Sequence, residues 1–388
     1  MDNLILETKN LILKPIEMSD AEAVFHFFNE NVTKYMYPSP AKTIHDTYQF
    51  IHHSIALREE NKEIVWVARL KYDDTFVGCF GLHRKDTKTP EVGLWIQEGL
   101  FGKKLGIEGM TEVINYIKEN VIYEDIIYPV DRRNLSSRNI PETLGGILAK
   151  TYKKKTESGK ELDTLEYRFF KEIPKDYHPP VILFQGDSIT DCGRNRHDIH
   201  SLGDGYVKEL KPYFPRAKII NRGISGDRTV ELIKRWDHDV ISHQPDVLLL
   251  LCGVNDVWHH YRYGKPMNLD LFEKNYRLLL NKTMKESLQT KIILIEPFSY
   301  NIGAFEASWR PMLSGMIHIV RKLGKEFELT LIHMDDFMQE WAKHYPQEAI
   351  LGDGVHPTEL GHQWMAKVIK PVLRDVILSI EEKRINQS

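Results

Sequence analysis

The stretch Val181-Ile182-Leu183-Phe184-Gln185-Gly186-Asp187-Ser188-Ile189-Thr190 decides how the second half of the chain is read. Apolar residues, β-branched and aromatic among them, give way to glycine, aspartate and a hydroxyl residue. That is the pattern of a buried parallel strand ending in a tight turn. In an open α/β sheet, ligands gather beyond the carboxyl ends of strands, which is where Ser188 stands. A serine hydroxyl is a weak nucleophile until a histidine takes its proton and a third group holds that histidine. Asp353-Gly354-Val355-His356 offers such a pair far downstream. Ser188 is therefore expected to be a nucleophile, with His356 as its base and Asp353 orienting the ring.

Working outward, apolar runs at 219–220, 247–251, 292–295 and 329–332 alternate with helical stretches at 230–242, 271–287 and 309–327. Strand and helix in alternation predict a five-stranded parallel sheet with right-handed crossovers and helices on both faces. The last helix is expected to start at His356-Pro357, since proline suits a first turn. The second strand runs into the glycine-rich turn Asn221-Arg222-Gly223-Ile224-Ser225-Gly226-Asp227, and the third into Gly253-Val254-Asn255-Asp256. A serine N–H, a glycine N–H and an asparagine amide are three donors that a tetrahedral oxyanion needs. Asp187, next to Ser188, is better placed to fix the nucleophile loop than to serve as the acid. His197, His200, His259, His260 and His333 lack a carboxylate at the matching offset and read as surface or structural residues. Trp236, Trp258 and Trp309 are candidates to line a sugar site, core packing being the expectation for two of them.

Block by block and in order, these residues resemble the SGNH, or GDSL-type, hydrolase superfamily: GDSIT with Ser188, GISGD with Gly226, GVND with Asn255, DGVH with His356. The resemblance covers residues 181–375. It implies a flavodoxin-like five-stranded parallel α/β/α sandwich, catalytic Ser188, Asp353 and His356, and an oxyanion hole of Ser188, Gly226 and Asn255. GDSITDCGR, LGDGYV, NRGISGD, RWDHDVI and GVNDVW are similar to the acetylxylan esterase branch. That likeness implies removal of an acetyl group from a small acetylated carbohydrate, with no metal and no cofactor. A general carboxylesterase, thioesterase or lysophospholipase using the same residues stays open. So does a chain whose main activity lies in its first half.

Residues 1–172 mix strands and helices. Strands are expected at 11–15, 64–70, 75–82, 91–96, 126–130, 148–154 and 162–170, the last two flanking a turn at 157–160. Asp73-Asp74 supplies a hairpin turn, so the sheet should be largely antiparallel in an α+β arrangement. Ser19-Asp20 with Glu22 reads as a capped helix start. An amphipathic helix follows Gly102, with Ile107, Met110, Val113, Ile114 and Ile117 on one face. LETKNLILKPIEMSDAE (6–22), GLFGKKLGIEG (99–109) and NLSSRNIPETLGG (134–146) resemble the GNAT acetyltransferase superfamily, in its ribosomal-protein-alanine acetyltransferase-like branch. The resemblance implies acetyl-CoA as cofactor, its pyrophosphate held by Phe101, Gly102, Lys103, Lys104, Leu105 and Gly106, with Asn134 nearby. A helix N-terminus favours an anion there. The chain departs from the family pattern with Phe101 for Arg or Gln, Lys104 for the first glycine, and Pro141 for the usual acidic tyrosine.

At 388 residues the chain exceeds one ordinary core. Two domains are expected, 1–172 and 181–388, joined by a linker at 173–180 stiffened by Pro179-Pro180. A net charge of -3 gives no reason to expect a nucleic-acid partner, and no apolar run is long enough for a membrane. MDNLILETKN lacks the pattern of a secretory signal, and three scattered cysteines suit reduced thiols, so a cytoplasmic location is expected. Assembly into a homo-oligomer is left open.

Overall fold

Apolar stretches of the first half line up as one eight-stranded sheet in the computed structural model, which describes residues 4–156 and 158–387. Its strands are β1 (Leu6–Glu7), β2 (Leu11–Pro15), β3 (Ile64–Leu70), β4 (Phe76–His83), β5 (Glu91–Ile96), β6 (Asp125–Asp131), β7 (Ile147–Lys155) and β8 (Glu161–Phe170). Their order is β1-β2-β3-β4-β5-β6-β8-β7. Neighbours are antiparallel except β5 and β6, which run parallel and register at Glu91↔Ile127. Glu157, in the expected 157–160 turn, lies outside the described residues. One expected detail changes. The carboxylate that closes the first helical start is Asp20, accepting the Glu17 N–H at 3.1 Å, so the cap lies upstream of Ser19.

The second half forms β9 (Val181–Gly186), β10 (Lys218–Asn221), β11 (Val247–Leu251), β12 (Lys291–Ile295) and β13 (Thr330–Ile332). All pairings are parallel, in the order β10-β9-β11-β12-β13. In chain order that is 2-1-3-4-5, the flavodoxin-like doubly wound topology. A central parallel strand is covered on both faces, which is why β11 reads as unbroken Val-Leu-Leu-Leu-Leu and is buried throughout. Truncating one of these leucines to alanine would cost about 2–5 kcal/mol.

The register brings the carboxyl ends level. Leu251 lies opposite Gly186, and Asn221 opposite Phe184, so the turns after β9, β10 and β11 open onto the same end of the sheet. The sheet changes winding direction here, where α/β proteins place their ligands.

The last helix spans Glu359–Gln387, starting later than His356-Pro357. Thr358 sits just ahead of it, its hydroxyl accepting the Gly361 N–H at 3.2 Å. Pro357 instead forms an isolated bridge with Leu351. A side-chain cap satisfies an orphan N–H that proline cannot, and it leaves His356 in a loop. By its internal contacts the chain splits into two units: residues up to Tyr177 together with those from Glu382 onward, and His178–Glu381. No helix among the described residues is long and apolar enough to cross a membrane.

Candidate active site

Ser188 opens a short helix, Ser188–Asp191, directly beyond β9. Asp187 caps that helix: its Oδ1 accepts the Ile189 N–H at 3.0 Å. This is the loop-fixing task expected of Asp187 from its position. Its Oδ2 has no hydrogen-bond partner among the described residues, and burial pushes the carboxyl up to about 7.

The Ser188 Oγ lies 2.9 Å from Nε2 of His356, and Nδ1 of His356 lies 2.8 Å from Oδ2 of Asp353. Nδ1–H donating to the carboxylate leaves Nε2 to accept the serine proton. The other Asp353 oxygen accepts the N–H groups of Val355 at 3.0 Å and His356 at 2.8 Å. Burial works to raise the Asp353 pKa, but the His356 N–H, the imidazole and the Val355 N–H outweigh it and hold the carboxyl below its usual range. Gly354 makes the tight loop workable. Its φ is +88°, and a Cβ there would sit 2.2 Å from the Ile302 carbonyl oxygen.

The three donors expected from the sequence follow β9, β10 and β11, whose carboxyl ends lie level with one another. Neither the Ser188 N–H nor the Gly226 N–H donates to another group among the described residues. Asn255 is the second residue of the helix Val254–Tyr263 and donates from Nδ2 to the Asp227 carbonyl at 3.1 Å. An amide nitrogen carries two hydrogens, so one remains for a ligand.

Some of the residues that organise these groups escape sequence reasoning. Asp191, buried, accepts the Ser225 N–H at 2.9 Å, the Ser225 hydroxyl at 2.7 Å and the Arg196 guanidinium at 2.5 Å. It thereby ties the nucleophile helix to the residue before Gly226. Asn221 donates to the Thr190 and Leu202 carbonyls, both at 2.7 Å, and accepts the Gly223 N–H at 2.9 Å. The signal for both was present, as polar residues inside the conspicuous blocks, but the partners that join one loop to another, Ser225 for Asp191 and Thr190 and Leu202 for Asn221, lie far off in sequence. Asp256 faces the core, accepting the Thr229 hydroxyl at 2.7 Å, and burial pushes it up to about 7.

The other histidines go elsewhere. His333 bonds Glu296 at 2.8 Å, and with Asp336 these groups lie close enough to share a cation. Arg321 already pairs with both carboxylates, which supplies the positive charge a metal would bring. Trp236 is fully buried, donating to the Thr283 hydroxyl at 3.0 Å, and Trp309 is buried too. Trp258 is half-buried, its ring centroid 6.1 Å from that of His356.

In the first half, residues 101–106 lead into the helix Leu105–Asn120. Phe101, Gly102, Lys103 and Lys104 are exposed, and Leu105 is buried. Lys104 adopts the left-handed conformation at φ 62°, a geometry that glycine would take without strain. The first N–H turned back into the helix is that of Glu108, to the Lys104 carbonyl at 3.1 Å. Those of Leu105, Gly106 and Ile107 face out of the open end. A Cβ on Gly106 would come within 3.1 Å of Ile140 and 3.2 Å of Leu94. An open helix end with two exposed lysines fits a pyrophosphate. Asn134 caps the helix Leu135–Leu144, accepting the Ser137 N–H at 3.1 Å, and has no hydrogen bond to the 101–106 turn.

Comparison with known proteins matches two stretches of the chain to different families. Residues 184–364 match the GDSL-like lipase/acylhydrolase family, and residues 10–147 an acetyltransferase (GNAT) domain. An acetylxylan esterase of Geobacillus stearothermophilus is 33% identical over 200 residues, 48% of this chain and 90% of that protein. An uncharacterised N-acetyltransferase of Bacillus subtilis is 30% identical over 115 residues, 29% of this chain and 65% of that protein. A solved structure of the Geobacillus esterase is 32% identical, covering 51% of this chain and 94% of that one at a TM-score of 0.45. The chain belongs to the GDSL-like lipase/acylhydrolase family. It is a carboxylic ester hydrolase of the acetylxylan esterase-like SGNH type that also carries a GNAT domain, a type that uses acetyl-CoA.

Proposed function

We propose that the chain removes acetyl groups from a small acetylated carbohydrate, using Ser188, His356 and Asp353. The observation that carries the reading is the run of contacts from Ser188 Oγ to His356 at 2.9 Å and on to Asp353 at 2.8 Å. Ser188 Oγ attacks the acetyl carbonyl while His356 Nε2 takes its proton. The negative charge on the carbonyl oxygen is met by the N–H groups of Ser188 and Gly226 and the Asn255 amide. Collapse returns the proton to the departing sugar oxygen and leaves acetyl-serine. Water, activated by His356, then releases acetate and restores the serine. No step calls on a metal. The acetyl and carbohydrate parts rest on the likeness to an acetylxylan esterase, with 33% identity over 90% of its length. Half-buried Trp258 beside His356 offers a flat face to a sugar ring. Three free cysteines, Cys79, Cys192 and Cys252, accord with a cytoplasmic setting.

Ser188→Ala should abolish hydrolysis of 4-nitrophenyl acetate, by up to about 10⁶ in turnover, with an unchanged circular dichroism spectrum. More than a tenth of the activity remaining would remove Ser188 from the role. Acetyl should be preferred over butyryl by at least about tenfold, since a methylene in an apolar pocket is worth about 1–3 kcal/mol. A flat or rising profile with acyl length would favour a general esterase.

For the first half, we propose that residues 101–106 hold coenzyme A by its pyrophosphate, through backbone N–H groups and the Lys103 and Lys104 side chains. Bound there, acetyl-CoA would supply an activated acetyl thioester. With Pro141 at the usual tyrosine position, the family's proton donor for the thiolate is absent from that place, so binding is proposed and transfer is not.

A further inference from the structure

The helix Val254–Tyr263 delivers Asn255 at its start and then carries aromatic residues away from Ser188 and His356. Trp258 lies one turn on, its ring 6.1 Å from His356 and 6.5 Å from the buried Trp309. Tyr261 lies a turn further, stacked on Trp309 with centroids 5.6 Å apart and planes 4° from parallel. Phe305 supports Trp309 from its edge at 5.4 Å, so the backing ring is fixed. Residues three apart share a helix face, and Tyr261 stands about 4.5 Å beyond Trp258 along the axis.

Tyr261 is 45% exposed although one ring face is covered by Trp309. Its uncovered part is a flat apolar surface in water, and Tyr261 and Trp258 pack against the same Trp309 ring, with Trp258 next to His356. The rim is polar, with His259 and His260 half-exposed and Arg262 exposed. A pyranose has flat C–H faces and a hydroxyl edge, which match a flat ring bordered by donors and acceptors. A fatty acyl chain would call for an enclosed aliphatic slot.

The geometry points to a second sugar subsite: Tyr261, held by Trp309, stacks the ring next to the acetylated one, which sits at Trp258. This rests on the proposed carbohydrate esterase activity and narrows its substrate to oligosaccharides. Tyr261 is then a specificity residue.

The test compares full-length protein with Tyr261→Ala and Tyr261→Phe on acetylated xylotriose, acetylated xylose, 4-nitrophenyl acetate and 4-nitrophenyl octanoate. The ratio of kcat/KM for the trisaccharide to that for 4-nitrophenyl acetate should fall about five- to tenfold in Tyr261→Ala, mostly through KM. Tyr261→Phe should keep it, and acetylated xylose should show no such loss. Equal loss on every substrate would overturn the subsite and leave the esterase reading intact. Selective loss on the octanoate would overturn it in favour of an acyl-chain site. Turnover of 4-nitrophenyl acetate with no acetylated sugar accepted would overturn the carbohydrate reading and the subsite together.

Discussion

Ser188 and His356 stand 168 residues apart in the chain and 2.9 Å apart in the fold, and each is oriented by a neighbour two or three residues away or less. Asp187 caps the helix that Ser188 opens, and Asp353 holds both the backbone and the ring of His356. Asp353→Asn should therefore lower kcat by roughly 10²–10⁴-fold with KM little changed, since the amide can favour the wrong imidazole tautomer. A loss of less than about tenfold in steady-state assays would show that the backbone alone orients the ring. A second residue-scale effect concerns His362. Its Nδ1 accepts the Tyr206 N–H at 3.2 Å, and its Nε2 lies 3.2 Å from the Cys192 sulfur. Burial, with a smaller push from His356, lowers its pKa from 6.5 to about 4. The unfolded chain thus takes up this proton first as pH falls. Stability from the neutral ring is complete above about 6.5 and lost on descending through 4, a difference of order 3 kcal/mol at most. His362→Asn keeps an acceptor for Tyr206 and removes the titration, so its urea midpoint should fall less steeply between those limits than the parent's. Parallel curves would refute the assignment.

At the scale of elements, the turns after β9 and β10 are locked together by close main-chain contacts as well as by the Asp191 and Asn221 side chains. Gly223 shows how tight the fit is: a Cβ there would lie 2.3 Å from the Asp191 nitrogen and 2.7 Å from the Thr190 carbonyl carbon. Both are main-chain atoms and cannot swing aside. Gly223→Ala should cost about 1–3 kcal/mol by overpacking and lower turnover by displacing Ser188 relative to Gly226. Denaturant midpoints together with kcat on 4-nitrophenyl acetate check this, and an unaltered kcat in a destabilised protein would uncouple the two turns.

For the whole molecule, the open helix end at Leu105 and the Ser188 site at the end of β9 call for different ligands. Millimolar acetyl-CoA should raise an unfolding midpoint of the full chain, with about 2.7 kcal/mol expected at a hundred times the dissociation constant. Lys104→Glu should weaken the shift, and so should added salt, because exposed charges are screened over about 10 Å at 0.1 M. No shift at millimolar ligand would mean that the 101–106 turn does not bind coenzyme A.

How far the sequence reached follows from what each feature depends on. Strands such as Val247–Leu251 and Glu91–Ile96, the parallel and antiparallel halves, and the ordered blocks around Ser188, Asn255 and His356 were legible in the chain itself. Each is written in local periodicity or in a turn that needs particular residue types. The start of the last helix was misplaced by two to three residues because Thr358, through its own hydroxyl, outcompetes the proline. What Asp191, Asn221 and His362 hold, and the pairing of Tyr261 with Trp309, were decided only by the tertiary structure. Hydrogen bonds and ring contacts of this kind depend on which loops the sheet brings level. Sheet register is a property of the whole packed core, and no short window of sequence contains it.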